Sequence, residues 1–137
     1  MNPDNRGGRV KALIVDDSAM MRKIVERALR QAGVNLTEVI QANNGVEALA
    51  FLREAMGGTG FDLIFSDINM PIMDGLEFLR QISAQNLAKD VPVIMITTES
   101  SEEHVKQAIQ AGAKGYIRKP FTAEQVKERV LPLVRLA

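Results

Sequence analysis

Four runs of apolar residues in this chain lead straight into polar side chains that could do chemistry together. Asp16 and Asp17 follow Ala12-Leu13-Ile14-Val15, and Asp67 follows Leu63-Ile64-Phe65-Ser66. Thr97 closes Val93-Ile94-Met95-Ile96, and Lys119 closes Tyr116-Ile117-Arg118. If these runs are parallel strands, three carboxylates, a hydroxyl and an ammonium meet at one edge of one sheet. Carboxylates that close repel one another strongly in a partly dry site, and a hard divalent cation relieves the repulsion. Oxygen-only ligands suit Mg²⁺, whereas zinc would want the histidine or cysteine that these runs lack. Aspartate can also accept a phosphoryl group. Asp67 stands alone at its strand end and is the better nucleophile, while Asp16 and Asp17 fit better as metal ligands. The cation, the Lys119 ammonium and the Thr97 hydroxyl could each take one equatorial phosphoryl oxygen, with backbone N–H groups after strands 3 and 4 adding hydrogen bonds.

The rest of the pattern supplies the elements that would hold these groups. Strands are predicted near Val10–Val15, Thr37–Ala42, Leu63–Ser66, Val93–Thr97 and Gly115–Arg118. Helices are predicted near Ala19–Gln31, Gly45–Met56, Gly75–Ala84, Glu102–Ala111 and Ala123–Leu131. Gly33 sits where a left-handed residue would end the first helix. Asp74-x-x-Glu77, Ser100-x-x-Glu103 and Thr122-x-x-Gln125 have the spacing of capping boxes or the Asp variant. Pro132 is expected to end or kink the last helix. Fivefold strand–helix alternation implies an α/β, doubly wound parallel sheet. Leu13–Val15, Leu63–Phe65 and Val93–Ile96 are apolar at every position, which places strands 1, 3 and 4 in the centre. The second strand carries Thr37, Glu38 and Gln41, and the fifth carries Arg118 and Lys119, which places both at the edges. The simple right-handed solution is a five-stranded, flavodoxin-like (βα)₅ fold of order 2-1-3-4-5. Its switch point, where ligands of such sheets sit, falls between strands 1 and 3, beside Asp16, Asp17 and Asp67.

Composition narrows the function further. At 137 residues the chain suits one domain. Residues 1–9, with Pro3 and Gly7-Gly8, are read as a flexible leader, and 10–137 as a single domain with no output domain. Lys plus Arg and Asp plus Glu both number 17, so no basic excess points to nucleic acid or an anionic membrane. There is no cysteine, which excludes disulfides and thiolate catalysis. No apolar run is long enough to span a bilayer, and no signal-peptide core is visible, so the expected location is cytoplasmic.

Four segments carry a family resemblance: Val15-Asp16-Asp17-Ser18, Ser66 to Gly75 (SDINMPIMDG), Ile96-Thr97-Thr98-Glu99, and Ala113 to Phe121 (AKGYIRKPF). In this order, each at a strand end, they resemble the receiver domain of two-component response regulators, and its chemotaxis members in particular. The resemblance covers Val10 to about Leu131. It implies that Asp67 accepts phosphate from a sensor histidine kinase. Asp17 would bind Mg²⁺ directly and Asp16 largely through water, with Asp67 and the Asn69 backbone carbonyl completing the protein ligands. Lys119, held by a cis Lys119-Pro120 peptide, would contact the phosphoryl group. Thr97 would move toward it and Tyr116 would swing inward, switching the face of helix 4, strand 5 and helix 5. Asn69, Thr98 and Glu99 would tune hydrolysis, Thr98 being bulkier than is usual there. The implied partners are the kinase, a protein target such as the flagellar motor switch, and a phosphatase. The chain would be a phosphoacceptor switch rather than an enzyme with a separate substrate.

Other readings follow from the same residues. Within the family, a phosphorelay intermediate would pass phosphate on to another histidine protein. An aspartyl-phosphate hydrolase usually needs a second acid two residues after the nucleophile, where this chain has Asn69. An FMN-binding flavodoxin lacks its phosphate loop here. Asp16 and Asp17 could instead cap the first helix. Lys119 could be an edge-strand charge and Tyr116 a half-buried edge aromatic. His104 is expected to be solvated, and Met20, Met21 and the other methionines to fill the core.

Overall fold

A computed structural model describes residues 9–55, 60–97 and 102–135. Thr98, Glu99, Ser100, Met56 and residues 1–8 of the predicted leader lie outside the described residues. The elements alternate as β1 (Val10–Val15), α1 (Ala19–Gln31), β2 (Leu36–Ala42), α2 (Gly45–Ala55), β3 (Leu63–Asp67), α3 (Gly75–Ala84), β4 (Val93–Thr97), α4 (Glu102–Gln110), β5 (Gly115–Arg118) and α5 (Ala123–Arg135). All pairings are parallel and the order is β2-β1-β3-β4-β5. The fold is the predicted five-stranded doubly wound sheet.

Strand parity sorts the core into two layers. Ala12, Ile14, Leu63, Phe65, Ile94, Ile96 and Ile117 pack with Val25, Ala28 and Leu29 of α1 and Val126, Val130 and Val134 of α5. Leu13, Val15, Ile64, Val93 and Met95 pack on the other face with α2, α3 and Ala108 of α4. β3 and β4 are buried at every position and β1 at all but Lys11, while β2 and β5 are only part-buried, as edges must be.

Several local signals work as read. Gly33 takes φ +98 and closes α1: its N–H donates to the Arg30 carbonyl, and the Val34 N–H to the Leu29 carbonyl. Thr122 and Gln125 form a reciprocal capping box at 3.0 and 3.1 Å. Asp74 caps α3 through the Glu77 N–H at 2.9 Å. The α1 cap is Ser18, which accepts from the Met21 N–H at 3.2 Å, so the Asp16-Asp17 pair is not spent on capping.

Three expectations are corrected. The last helix does not stop at Pro132 but runs on to Arg135. Proline leaves the Glu128 carbonyl without its helical donor, but both residues face solvent while Val130 and Val134 bury against the sheet. Met20 is not core filler; it is 72% exposed. His104 is half-buried with its Nδ1 shielded, because it lies one turn before the buried Ala108 on the inward side of α4.

The loop after β3 is tightly built. The Gly75 N–H donates to the Ile68 carbonyl at 2.8 Å. A Cβ at Gly75 would overlap the Asp67 carbonyl oxygen and lie 2.6 Å from the Met95 methyl and 2.9 Å from Ile68 Cα. Glycine is therefore required for α3 to start this close to β3. Ile72 has φ +70, and the Met73 N–H donates across it to the Pro71 carbonyl at 2.7 Å.

Candidate functional site

The predicted residues meet at the carboxyl edge of the sheet, beside the β1–β3 switch point. Oxygens of Asp16, Asp17 and Asp67 all lie within 4.8 Å of one another. Asp16 and Asp67 are buried and Asp17 is exposed, so the cluster opens to solvent on one side. The Lys119 ammonium sits 3.5 Å from both Asp16 Oδ2 and Asp67 Oδ2. The Lys119-Pro120 peptide is cis, and the Lys119 N–H donates to the Thr97 carbonyl at 2.8 Å.

Strand parity explains this grouping. Asp16, Asp67 and Lys119 continue the positions of β1, β3 and β5 that face α1 and α5. Thr97 and Tyr116 fall on the opposite parity, toward α2–α4. The ammonium thereby reaches the two carboxylates on its own side. Thr97 is buried, and Tyr116, whose strand neighbour is Met95, is half-buried with the Arg129 guanidinium 5.5 Å from its ring centroid.

Electrostatics favour a further cation. Burial raises the Asp67 pKa above its ordinary value; the Lys119 ammonium opposes the rise, the Asp16 charge reinforces it, and the Asn69 backbone N–H opposes it by hydrogen bonding. Asp16 Oδ2 is buried without a hydrogen-bond donor. Its other oxygen accepts the Ser18 N–H at 2.9 Å, which fixes the carboxylate's orientation. Three carboxylates around one ammonium, with one buried oxygen lacking a donor, are a donor set that fits Mg²⁺. Asn69 itself is exposed.

The sequence reading missed Arg22. Its Nη1 donates to the Asp16 carbonyl at 2.6 Å and to Asn43 Oδ1 at 2.9 Å, and its Nε to Gln41 Oε1 at 2.7 Å. Glu47 anchors Asn43 in turn, accepting its backbone N–H at 2.8 Å. That hydrogen bond, the Asn43 amide and the Arg22 charge hold the Glu47 carboxyl below its usual range. The signal was present but weak: Arg22 lies one turn after Ser18, so its side chain starts on the face of α1 nearest the acidic pair.

Residues 12–131 match the response regulator receiver domain family. The chain belongs to that family. The receiver is 44% identical over 121 residues to the chemotaxis protein CheY-3 of Vibrio cholerae, covering 88% of each chain. It is 40% identical over 121 residues to the chemotaxis protein CheY of Pseudomonas aeruginosa, covering 88% of this chain and 93% of that one. Among solved structures, Vibrio cholerae CheY4 superposes with a TM-score of 0.76 at 38% identity, covering 91% of this receiver and 98% of that chain. The signal receiver domain of the putative response regulator NarL from Mycobacterium tuberculosis gives 0.78 at 28% identity, covering 93% and 97%. The chain is thus a CheY-like receiver, of the class that acts as phosphoacceptor switches rather than classical enzymes. Receivers bind Mg²⁺ at acidic clusters of this kind. No helix among the described residues is long and apolar enough to cross a membrane.

Proposed function

We propose that Asp67 is the phosphoacceptor of a signalling switch, charged from a phosphohistidine on a sensor kinase and read by a protein target in chemotaxis. The observation that carries this reading is Asp67 beside Lys119 at 3.5 Å, with Asp16 and Asp17 within 4.8 Å. An Asp67 carboxylate oxygen attacks phosphorus, the P–N bond to the donor imidazole breaks, and the electron pair leaves with that ring nitrogen. Lys119 stands where it can neutralise charge on a phosphoryl oxygen, and the buried setting of Asp67 strengthens that interaction. Asp16, Asp17, Asp67 and the Asn69 carbonyl are the groups that would hold Mg²⁺. When bound, that ion supplies further neutralisation of the phosphoryl oxygens.

Output runs through Thr97 and Tyr116. Both lie on the α2–α4 side, and the chain from Thr97 leads by direct register to Arg118 on β5. A Thr97 hydroxyl drawn to the phosphoryl oxygen would free space toward Tyr116, and the face of α4, β5 and α5 would change its fit to a partner such as the flagellar motor switch. Thr98 and Glu99 would set water access beside Asn69.

Mass spectrometry after treatment with acetyl phosphate and Mg²⁺ tests the central claim. The wild type should gain one phosphoryl mass, and Asp67→Asn should gain none. An unlabelled wild type, or equal labelling of the variant, would overturn the assignment.

A further inference from the structure

Asp16 is held by its backbone as well as by its side chain. Its N–H donates to the Ala42 carbonyl at 3.0 Å, its carbonyl accepts Arg22 Nη1 at 2.6 Å, and its Oδ1 accepts the Ser18 N–H at 2.9 Å. The carbonyl that Arg22 holds belongs to the peptide joining Asp16 to Asp17. That peptide is planar, so fixing its carbonyl also fixes where the Asp17 backbone begins. Asp17 is exposed and has no burial to place it. Arg22 thus governs the seating of two of the three clustered carboxylates without touching either one.

What orients Arg22 lies on the next helix. Its half-buried guanidinium has three acceptors at the ends of β1 and β2: the Asp16 carbonyl, Gln41 Oε1 and Asn43 Oδ1. A planar fork with its acceptors fixed has one way to sit. Asn43 is oriented in turn by opposite charges on its two sides. Its Oδ1 accepts from the guanidinium at 2.9 Å, and its amide nitrogen donates to Glu47 Oε1 and Oε2 at 3.1 and 3.3 Å. Turned over, the amide would set its NH₂ against a cation and its oxygen against a carboxylate. Capping of α2 does not explain these bonds. The cap is complete once Asn44 Oδ1 accepts the Glu47 N–H at 3.0 Å and Glu47 accepts the Asn43 N–H at 2.8 Å. The bonds to the Asn43 amide are additional, and they lead away from α2 toward the acidic cluster. Charge is not Arg22's contribution either: a cation beside a cation site opposes Mg²⁺, so on charge alone its removal would tighten binding.

We propose that Glu47 is a positioning residue for the Mg²⁺ site, acting through Asn43 and Arg22 on the Asp16–Asp17 peptide. This rests on the reading above, in which Asp16, Asp17 and Asp67 hold the ion. The test is Mg²⁺ binding to the full chain, measured by calorimetry with no phosphoryl donor present. It compares wild type, Glu47→Ala, Glu47→Gln, Arg22→Gln and the double variant Arg22→Gln/Glu47→Ala. Glu47 is exposed, so its truncation leaves the core untouched. Glu47→Ala should raise Kd about threefold, less than the roughly tenfold or more lost when a group bonded directly to a metal ligand is removed. Glu47→Gln keeps the Oε1 that accepts both the Asn43 N–H and its amide, and should bind like the wild type. In the Arg22→Gln background Glu47→Ala should add nothing, because the path it uses is already cut. An unchanged Kd in Glu47→Ala, an equal loss in Glu47→Gln, or a full additional loss in the double variant would each overturn the proposal. A wild type that binds no Mg²⁺ would instead overturn the metal site itself.

Discussion

Neutralising Asp67 should stabilise the metal-free protein. In Asp67→Asn the repulsion from Asp16, worth at least about 3.5 kcal/mol for charges within 4.8 Å at an effective dielectric of about 20, disappears. The attraction to Lys119 at 3.5 Å, about 5 kcal/mol on the same scale, is lost. Those two nearly cancel, and Asp17 adds little because it is exposed and screened. What remains is the desolvation of a buried carboxylate, which outweighs its favourable contacts, since the Asp67 pKa is raised. A net gain in stability is therefore expected, read as a higher Tm for the variant. The sign with pH follows from the raised pKa: wild-type stability due to this group is present below the ordinary aspartate value and lost as pH rises through the raised one. The gap between variant and wild type should therefore be small in acid and full by neutral pH. Thermal unfolding in EDTA across that range measures it. Added Mg²⁺ should then raise the wild type more than the variant, by binding the folded state. An Asn variant no more stable than wild type in EDTA at neutral pH would refute the charge balance.

Lys119→Met removes the ammonium shared by Asp16 and Asp67; a loss of about 3 kcal/mol is expected in EDTA, partly restored by Mg²⁺, by urea unfolding. Gly75→Ala places a methyl against the Asp67 carbonyl and Ile68 Cα, and should cost about 3 kcal/mol or more. Gly33→Ala, in open space at φ +98, should cost only about 1–2 kcal/mol in the same assay. Arg22→Gln frees the Asp16 carbonyl and should weaken Mg²⁺ binding several-fold, read by calorimetry, with the fold intact by circular dichroism. Thr97→Ala should accept phosphate but lose the phosphorylation-dependent gain in partner affinity, measured by titration with the target.

Much of this was legible because each central strand carries an unbroken apolar run. Leu13–Val15, Leu63–Phe65 and Val93–Ile96 leave no choice of burial, so the polar residues that directly follow each run mark the sheet edge. Parity then tells which polar residues share a side. Arg22 was harder, because its bonds to Gln41 and Asn43 depend on how α1 lies across the end of β2, which no local pattern encodes. Met20 was misread because α1 is apolar at Met20, Met21, Ile24, Val25, Ala28 and Leu29, a stripe wider than the face that buries. Pro132 was misjudged because a proline's cost depends on whether the freed carbonyl meets solvent, and the sequence does not state that. The backbone turn at Ile72 had no sequence signal, since isoleucine there argues against it.

The close seating of Gly75 has a mechanical consequence. With Asp67, Ile68 and Met95 already in contact at that point, the end of β3 and the start of α3 have no slack between them. A push at the Asp67 backbone would be delivered to α3 and to the Met95 side chain as one body, without being absorbed in a cavity. Met95 is paired in register with Tyr116, so the same stiffness leads sideways across the sheet to the edge strand. Part of the molecule thus serves as a fixed abutment, and the compliance needed for a switch has to be found on the β4–β5 side.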